Sequence, residues 1–384
     1  MADRYWVAGG TGNYNSTTNW SVTSGGASGA SVPSVSDNVF FDASSGVGTA
    51  TINVASFCAN LNLTGFAGTL AFTNNLSTTG TVNLGSGTYT VSGTAALRFQ
   101  TATTITSNGS SWGGNIIFAS NGTFTLADNL TVLGNLTFEN FSPTINGNTL
   151  NIGGNLTYSS ASNISGTTLF NFNGTGTWSH TTIGRIQNNV TINTSGTLTL
   201  GTTIRYDTGT LTYTAGTVTT TGSTLNVAAA TTFNTSGMSW NNITITSGTQ
   251  TLNSLLSANG TMTLSNSIIF AGAAGFSVGT LVSTASLTHQ LVSTVTYTIT
   301  TAFTCTAATD ASRVLFRSTI ASSKAILTLN SGATNNLRFV NATDINSSLG
   351  RTIYSYRGVF SNTDNWSLLS TDPTINTSAF TFIN

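Results

Sequence analysis

Short apolar runs alternating with Thr or Asn, each broken after a few residues by Gly, Asn or Ser, recur along almost the whole chain. Thr123-Phe124-Thr125-Leu126, Leu198-Thr199-Leu200, Ile243-Thr244-Ile245 and Thr261-Met262-Thr263-Leu264 are examples. A period of two sends one set of side chains inward and the other outward, which is the pattern of a half-buried strand. Thr suits the outer face because it is β-branched and needs no charge. Gly, Asn and Ser between the runs supply turns. No stretch of ten or more residues carries a helical period. Leu126, Phe138, Leu200 and Ile245 are expected to point into a core.

A loose repeat is visible within this pattern. Asn opens an alternating strand at Asn60, Asn115, Asn189 and Asn242, spaced 55, 74 and 53 residues apart. Gly-Thr opens a second strand at Gly68, Gly122, Gly196 and Gly248. Gly opens a third at Gly80, Gly134, Gly209 and Gly260. Trp112, Trp178 and Trp240 precede the last three units. Short strands, Gly and Asn corners and a degenerate repeat predict a β-solenoid, a parallel β-helix in which each strand pairs with its equivalents one coil above and below. Asn stacked at a corner would hydrogen-bond along the coil axis. Stacked β-sandwiches are the competing architecture. Three regions are expected: an N-terminal cap or anchor module over 1–49, a solenoid rod over 50–304, and a C-terminal cap module over 305–384.

Charge narrows the functional classes. The chain of 384 residues has ten Lys or Arg and ten Asp or Glu, so 5% is charged and the net charge is zero. Ordinary domains carry roughly 25%. The single lysine, Lys324, and the lack of basic clusters argue against nucleic-acid binding. One glutamate, Glu139, and two histidines, His180 and His289, leave little for acid–base or metal chemistry. The acids are isolated, so no calcium site is expected, and no phosphate or dinucleotide fingerprint occurs. No cofactor and no catalytic residues are expected. Cys58 and Cys305 are read as two buried thiols without a bridge. The opening Met1–Gly10 does not read as a secretory leader, and no run is long enough for a membrane-spanning helix, so neither is expected.

A few residues invite sharper readings. Asp310, Arg313 and Arg317 are the densest charged group, and a polysaccharide lyase would want such a set in a groove. A surface ion pair explains them more simply. His180, between Trp178 and Arg185, and His289, in an apolar stretch, have no catalytic partner at a suggestive spacing. Tyr5, Trp6 and Trp20 are candidates for an anchoring interface, and Trp366 for a cap or glycan contact. Packing within the caps is the simpler reading for each tryptophan.

The end segments carry a resemblance. Arg4-Tyr5-Trp6-Val7-Ala8-Gly9-Gly10-Thr11-Gly12-Asn13-Tyr14, with Ser31-Val32-Pro33 and Ser36-Asp37-Asn38-Val39-Phe40-Phe41-Asp42, resembles the start of Gly/Thr-rich β-helical virion proteins of tailed bacteriophages. The close resembles their end, from Lys324-Ala325-Ile326-Leu327-Thr328 through Leu337-Arg338-Phe339-Val340 and Asp344 to Asn365-Trp366. Asn-Trp-Ser recurs at Asn19-Trp20-Ser21 and Asn365-Trp366-Ser367. The resemblance implies a non-enzymatic virion protein, either a capsid decoration or fibre or a tail fibre component. Such a protein would be assembled in the host cytoplasm, exposed on the virion surface and associated with other virion proteins. A homotrimer is expected, with possible contact to a host surface glycan. A tailspike-like carbohydrate-binding or depolymerising protein and a bacterial surface adhesin are the alternative readings.

Overall fold

The computed structural model describes residues 1–139, 141–305 and 307–373. Among them the chain is all-β, with about 2% helix in three short 3-10 turns. Its parallel sheets stack into a β-solenoid of about 16 turns, so the sandwich alternative falls. No helix among the described residues is long and apolar enough to cross a membrane. Two compact units are present: Met1–Gly201 with Thr214–Thr219, and Thr202–Tyr213 with the chain from Thr220.

In the first unit each coil of about 20 residues contributes strands to several parallel ladders. Along one ladder Val39 pairs with Leu61, Leu61 with Val82, Val82 with Ile105 and Ile105 with Leu126. Along another, Leu97 pairs with Ile116, Ile116 with Leu136 and Leu136 with Leu156. All of these residues are buried, and so are the four positions expected inside, Leu126, Phe138, Leu200 and Ile245. Rings stack from coil to coil. Phe118 lies parallel to Phe138 at 4.9 Å and Phe138 parallel to Phe170 at 5.9 Å. Successive coils bring like side chains to strand spacing, so large rings stack in the narrow interior.

The corners explain the Asn and Gly content. Asn38 donates to Asp3, Asn60 donates to Asn38, and the Asn60 amide oxygen accepts from the Thr81 N–H. Asn155 donates to Asn135, and on the outer face of the strands, away from the corners, Asn171 donates to Asn151. These are the axial ladders expected of stacked Asn. Elsewhere a corner brings backbones too close for any side chain. A Cβ on Gly134 would lie 2.2 Å from the carbonyl oxygen of Gly114, one on Gly154 2.4 Å from that of Gly134, and one on Gly176 2.2 Å from that of Gly154. Only glycine fits this column.

The repeat spacing of 55, 74 and 53 residues does not mark equivalent coils. Asn60 precedes a strand that pairs with Val82–Asn83, whereas the Asn115–Phe118 strand belongs to the ladder of Ala96–Phe99. Asn serves any corner, so the phrase recurs on different faces instead of once per coil.

The second unit has ladders of the same kind. Ile204 pairs with Leu225, Leu225 with Ile243, Ile243 with Met262 and Met262 with Leu281. Its coils are less regular and lengthen after Leu291. The segments on either side of residue 305 share ladders: Thr288–Leu291 pairs with Val314–Ser318, and Thr296–Cys305 pairs with Ala325–Leu329 and Thr334–Arg338. The segment over 1–49 likewise enters the first unit's ladders through Asp3–Trp6, Asn38–Phe40 and Thr49–Ile52.

Candidate functional site

The N-terminal end is built from an aromatic plug. The strand Asp3–Trp6 runs parallel to Asn38–Phe40 and is covered on its other edge by the short antiparallel strand Trp20–Ser21. A two-residue antiparallel strand blunts an edge that would otherwise template further pairing. Trp6 and Trp20 face each other at 5.3 Å, edge to face, with Tyr14 at 4.9 Å from Trp20 and Phe41 at 5.6 Å from Trp6. Trp20 Nε1 donates to the Tyr14 carbonyl at 2.7 Å. Trp6 is 1% exposed and Trp20 0%, so neither ring is available to a partner in this conformation. Tyr5, whose ring stacks on Phe40 at 4.6 Å, is the one of the three candidates at the surface. Alternation puts it there: Trp6 points inward and Tyr5 outward. Asp37 locks the entry, because its carboxylate accepts from the backbone N–H groups of Ala2 and Ser34 and from the Ser34 hydroxyl.

At the other end of the described chain Trp366 is half-buried, with its ring 5.4 Å from Phe360. Its Nε1 is buried and has no partner among the described residues.

The charged group near residue 310 is larger than its sequence neighbours suggest. Arg313 pairs with Asp310 at 2.5 Å and donates to the Asn341 amide oxygen at 2.9 Å. Arg357 reaches the second oxygen of Asp310 at 3.4 Å. Arg338 pairs with Asp372 at 2.7 Å. The guanidinium groups of Arg313, Arg338 and Arg357 all lie 5.4–5.9 Å from the centre of the Phe339 ring, within cation–π range. Beyond the local Asp310–Arg313 pair, residues 26 to 47 positions apart meet here only through coil register, so local sequence carries no sign of the larger cluster. Both carboxylates are committed to guanidinium groups. Arg317, counted with Asp310 and Arg313 from the sequence, stands apart from them in a separate cleft with Gln290, Thr343 and Asp344.

The histidines are held inside their own coils. His180 accepts from Trp178 Nε1 at 3.0 Å, and its Nδ1 lies 3.2 Å from the Gly184 carbonyl oxygen. His289 is fully buried, with its Nε2 2.7 Å from the Ser283 hydroxyl and its ring 4.9 Å from Phe316. Burial pushes its pKa down to about 4. A Ser–His contact has the outline of an activated nucleophile. Here Ser283 is also fully buried, and His289 Nδ1 has no partner among the described residues to orient it. A substrate could not reach the pair.

Cys58 and Cys305 are both free and buried. Burial pushes the Cys58 thiol up to about 12, opposed by the Thr78 hydroxyl, and raises that of Cys305 as well. Among the described residues no group of three or more His, Cys, Asp or Glu side chains could hold a metal ion. No family of known proteins, no curated protein and no solved structure matches the chain.

Proposed function

We propose that this chain is a non-enzymatic structural protein of a tailed-bacteriophage particle, exposed on its surface as a capsid decoration or fibre or as a tail fibre component. The observation that carries the non-enzymatic part is where the charge and the reactive groups lie. Arg98 pairs with Glu139, Arg357 with Asp310, Lys324 with Asp364 and Arg338 with Asp372, each tying together residues brought near by coil stacking, while Arg313 pairs with Asp310 across one local turn. The thiols and His289 lie in the core. Side chains that could do acid–base or nucleophilic work hold coils together instead. The particle part rests on the resemblance of the two end segments. Hydrogen-bonded coils with few charges also suit a surface that must withstand proteases.

The protein associates with other virion proteins and with two further copies of itself, and the anchor lies at the N-terminal end. Because Trp6 and Trp20 close the core, the anchoring contact uses the outer face beside Tyr5. Removing residues 1–49 would also remove Phe41 and uncover Phe66, on which it packs, and is the wrong test. Tyr5→Ser leaves the plug in place. Mass spectrometry of purified particles should find the wild-type chain at a fixed copy number and the Tyr5→Ser chain depleted, while light scattering of the free protein reads a trimer. A wild-type chain absent from particles and monomeric in solution would defeat the proposal. Undiminished incorporation of Tyr5→Ser would defeat the anchor assignment alone.

A further inference from the structure

Three adjacent strands of the second unit, Thr288–Leu291, Val314–Ser318 and Val340–Thr343, bring Gln290, Arg317 and Thr343 into register on one outer face. Their neighbours His289, Phe316 and Ala342 point into the core. None of the three outer side chains makes a hydrogen bond or ion pair with another described residue. Arg317 stands alone among the basic side chains in this. Arg313, Lys324, Arg338 and Arg357 pair with acids, and Arg351 donates to the Ala333 carbonyl.

These side chains, with Ser318, Thr319, Ala321 and Asp344, line a cleft of about 270 Å³. One wall is held in place. Asp344, only 7% exposed, accepts from the backbone N–H of Ser322 at 3.0 Å and from the Asn362 amide. The turn that rims the cleft is thereby pinned.

We propose that this cleft binds one uncharged pyranose ring of a glycan. Its size falls just below the roughly 300–1,000 Å³ of pockets for drug-sized molecules, which suits a single ring. Its lining combines a donor-only guanidinium, an acceptor-only carboxylate, and an amide and hydroxyls that do both. Sugar hydroxyls, each able to donate and accept, match that mixture. The charges of Arg317 and Asp344 cancel, so an acidic sugar would meet the Asp344 carboxylate and a cationic one the Arg317 guanidinium. The inference does not depend on the chain being carried by a particle.

The test is titration of the full chain with the methyl glycosides of glucose, galactose and mannose, and with glucuronate, followed by NMR shift changes and calorimetry. At least one neutral glycoside should bind saturably at millimolar concentration. Arg317→Ala and Gln290→Ala should each weaken that binding by about tenfold or more, the usual effect of losing a hydrogen bond to a charged or well-placed polar group. Arg351→Ala, which removes a guanidinium outside the cleft, should leave it unchanged. Circular dichroism checks that the exposed Arg317 substitution keeps the fold. No saturable binding of any of the three glycosides, binding indifferent to Arg317→Ala, or a preference for glucuronate would each overturn the proposal.

Discussion

Along one ladder between Leu130 and Val190 the step is constant, with Leu130 against Leu150, Leu150 against Phe170 and Phe170 against Val190, and elsewhere in these coils it changes by only two residues. Between His289 and Ala342 the coils are longer, with His289 against Phe316 and Phe316 against Ala342. The regular stretch holds a corner with the Gly134, Gly154 and Gly176 column and ties its strands with Asn151 and Asn171, which donate along the axis from mid-strand. The expanded stretch uses charge. Asp310 holds Arg313 beside a 3-10 turn, Lys324 reaches Asp364, and Asp344 fastens the turn at Ser322. A coil of constant length lets each backbone group find its equivalent in the next coil. Extra residues leave groups that no equivalent can pair, and side chains must then hold the loop. Between these two stretches, charge goes with irregularity.

That contrast can be broken in four places. Phe138→Ala, in the regular stretch, removes a fully buried ring stacked on both sides and should cost about 3–5 kcal/mol in chemical denaturation. A loss below about 1 kcal/mol would mean that the stack is not the core.

The next effect is confined to the expanded unit. His289 has a folded-state pKa lowered to about 4, from an ordinary 6.5. Between these values the unfolded chain binds the proton and the folded chain does not, so stability falls as pH drops through that window. The full effect, on the order of 3 kcal/mol, develops by about pH 4. His289→Gln should flatten this part of the stability–pH curve. An unchanged curve in that variant would assign the effect elsewhere.

Gly154→Ala tests the close corner. The added Cβ would meet the Gly134 carbonyl oxygen at 2.4 Å, and a cost of about 1–3 kcal/mol is expected from overpacking. Gly332→Ala, where a Cβ meets nothing within 4 Å, should be nearly neutral. Similar costs at both sites would remove the distinction. The smallest effect is expected for Lys324→Met. That ion pair is partly exposed, with 43% of the Asp364 side chain accessible, so its loss should cost no more than about 1 kcal/mol and shrink further in high salt.

Much of the fold was legible in the sequence because the alternation is local. Thr123–Leu126 is a strand with the expected bounds, and its Leu126 is buried as the period requires. The stacked Asn residues were legible as well, since a corner Asn needs only a like residue one coil away. Coil length was not, because Asn and Gly-Thr mark every corner and the eye joins corners on different faces. The charged cluster around Phe339 was hidden for a related reason. Asp310, Arg338, Arg357 and Asp372 meet only through register, and no local spacing records it. Trp6 and Tyr5 show the limit for the site. Both are aromatic and adjacent, and only the inward or outward turn of the strand decides which one seals the core and which one a partner could touch.

The register of the regular coils can be measured directly by cross-linking. Thr131 and Asn151 are Cα partners on neighbouring parallel strands, with the Asn151 amide 3.3 Å from the Thr131 hydroxyl. Paired strands lie about 4.8 Å apart, inside the reach of a disulfide. The double variant Thr131→Cys with Asn151→Cys should therefore oxidise within one chain, while Thr131→Cys with Thr149→Cys, two residues out of register, should not. Cys58 and Cys305 stay buried and out of the reaction. A bridge in the first variant alone, found by non-reducing mass mapping, is the result expected of stacked coils with a 20-residue advance. Equal bridging in both, or in the second alone, would contradict it.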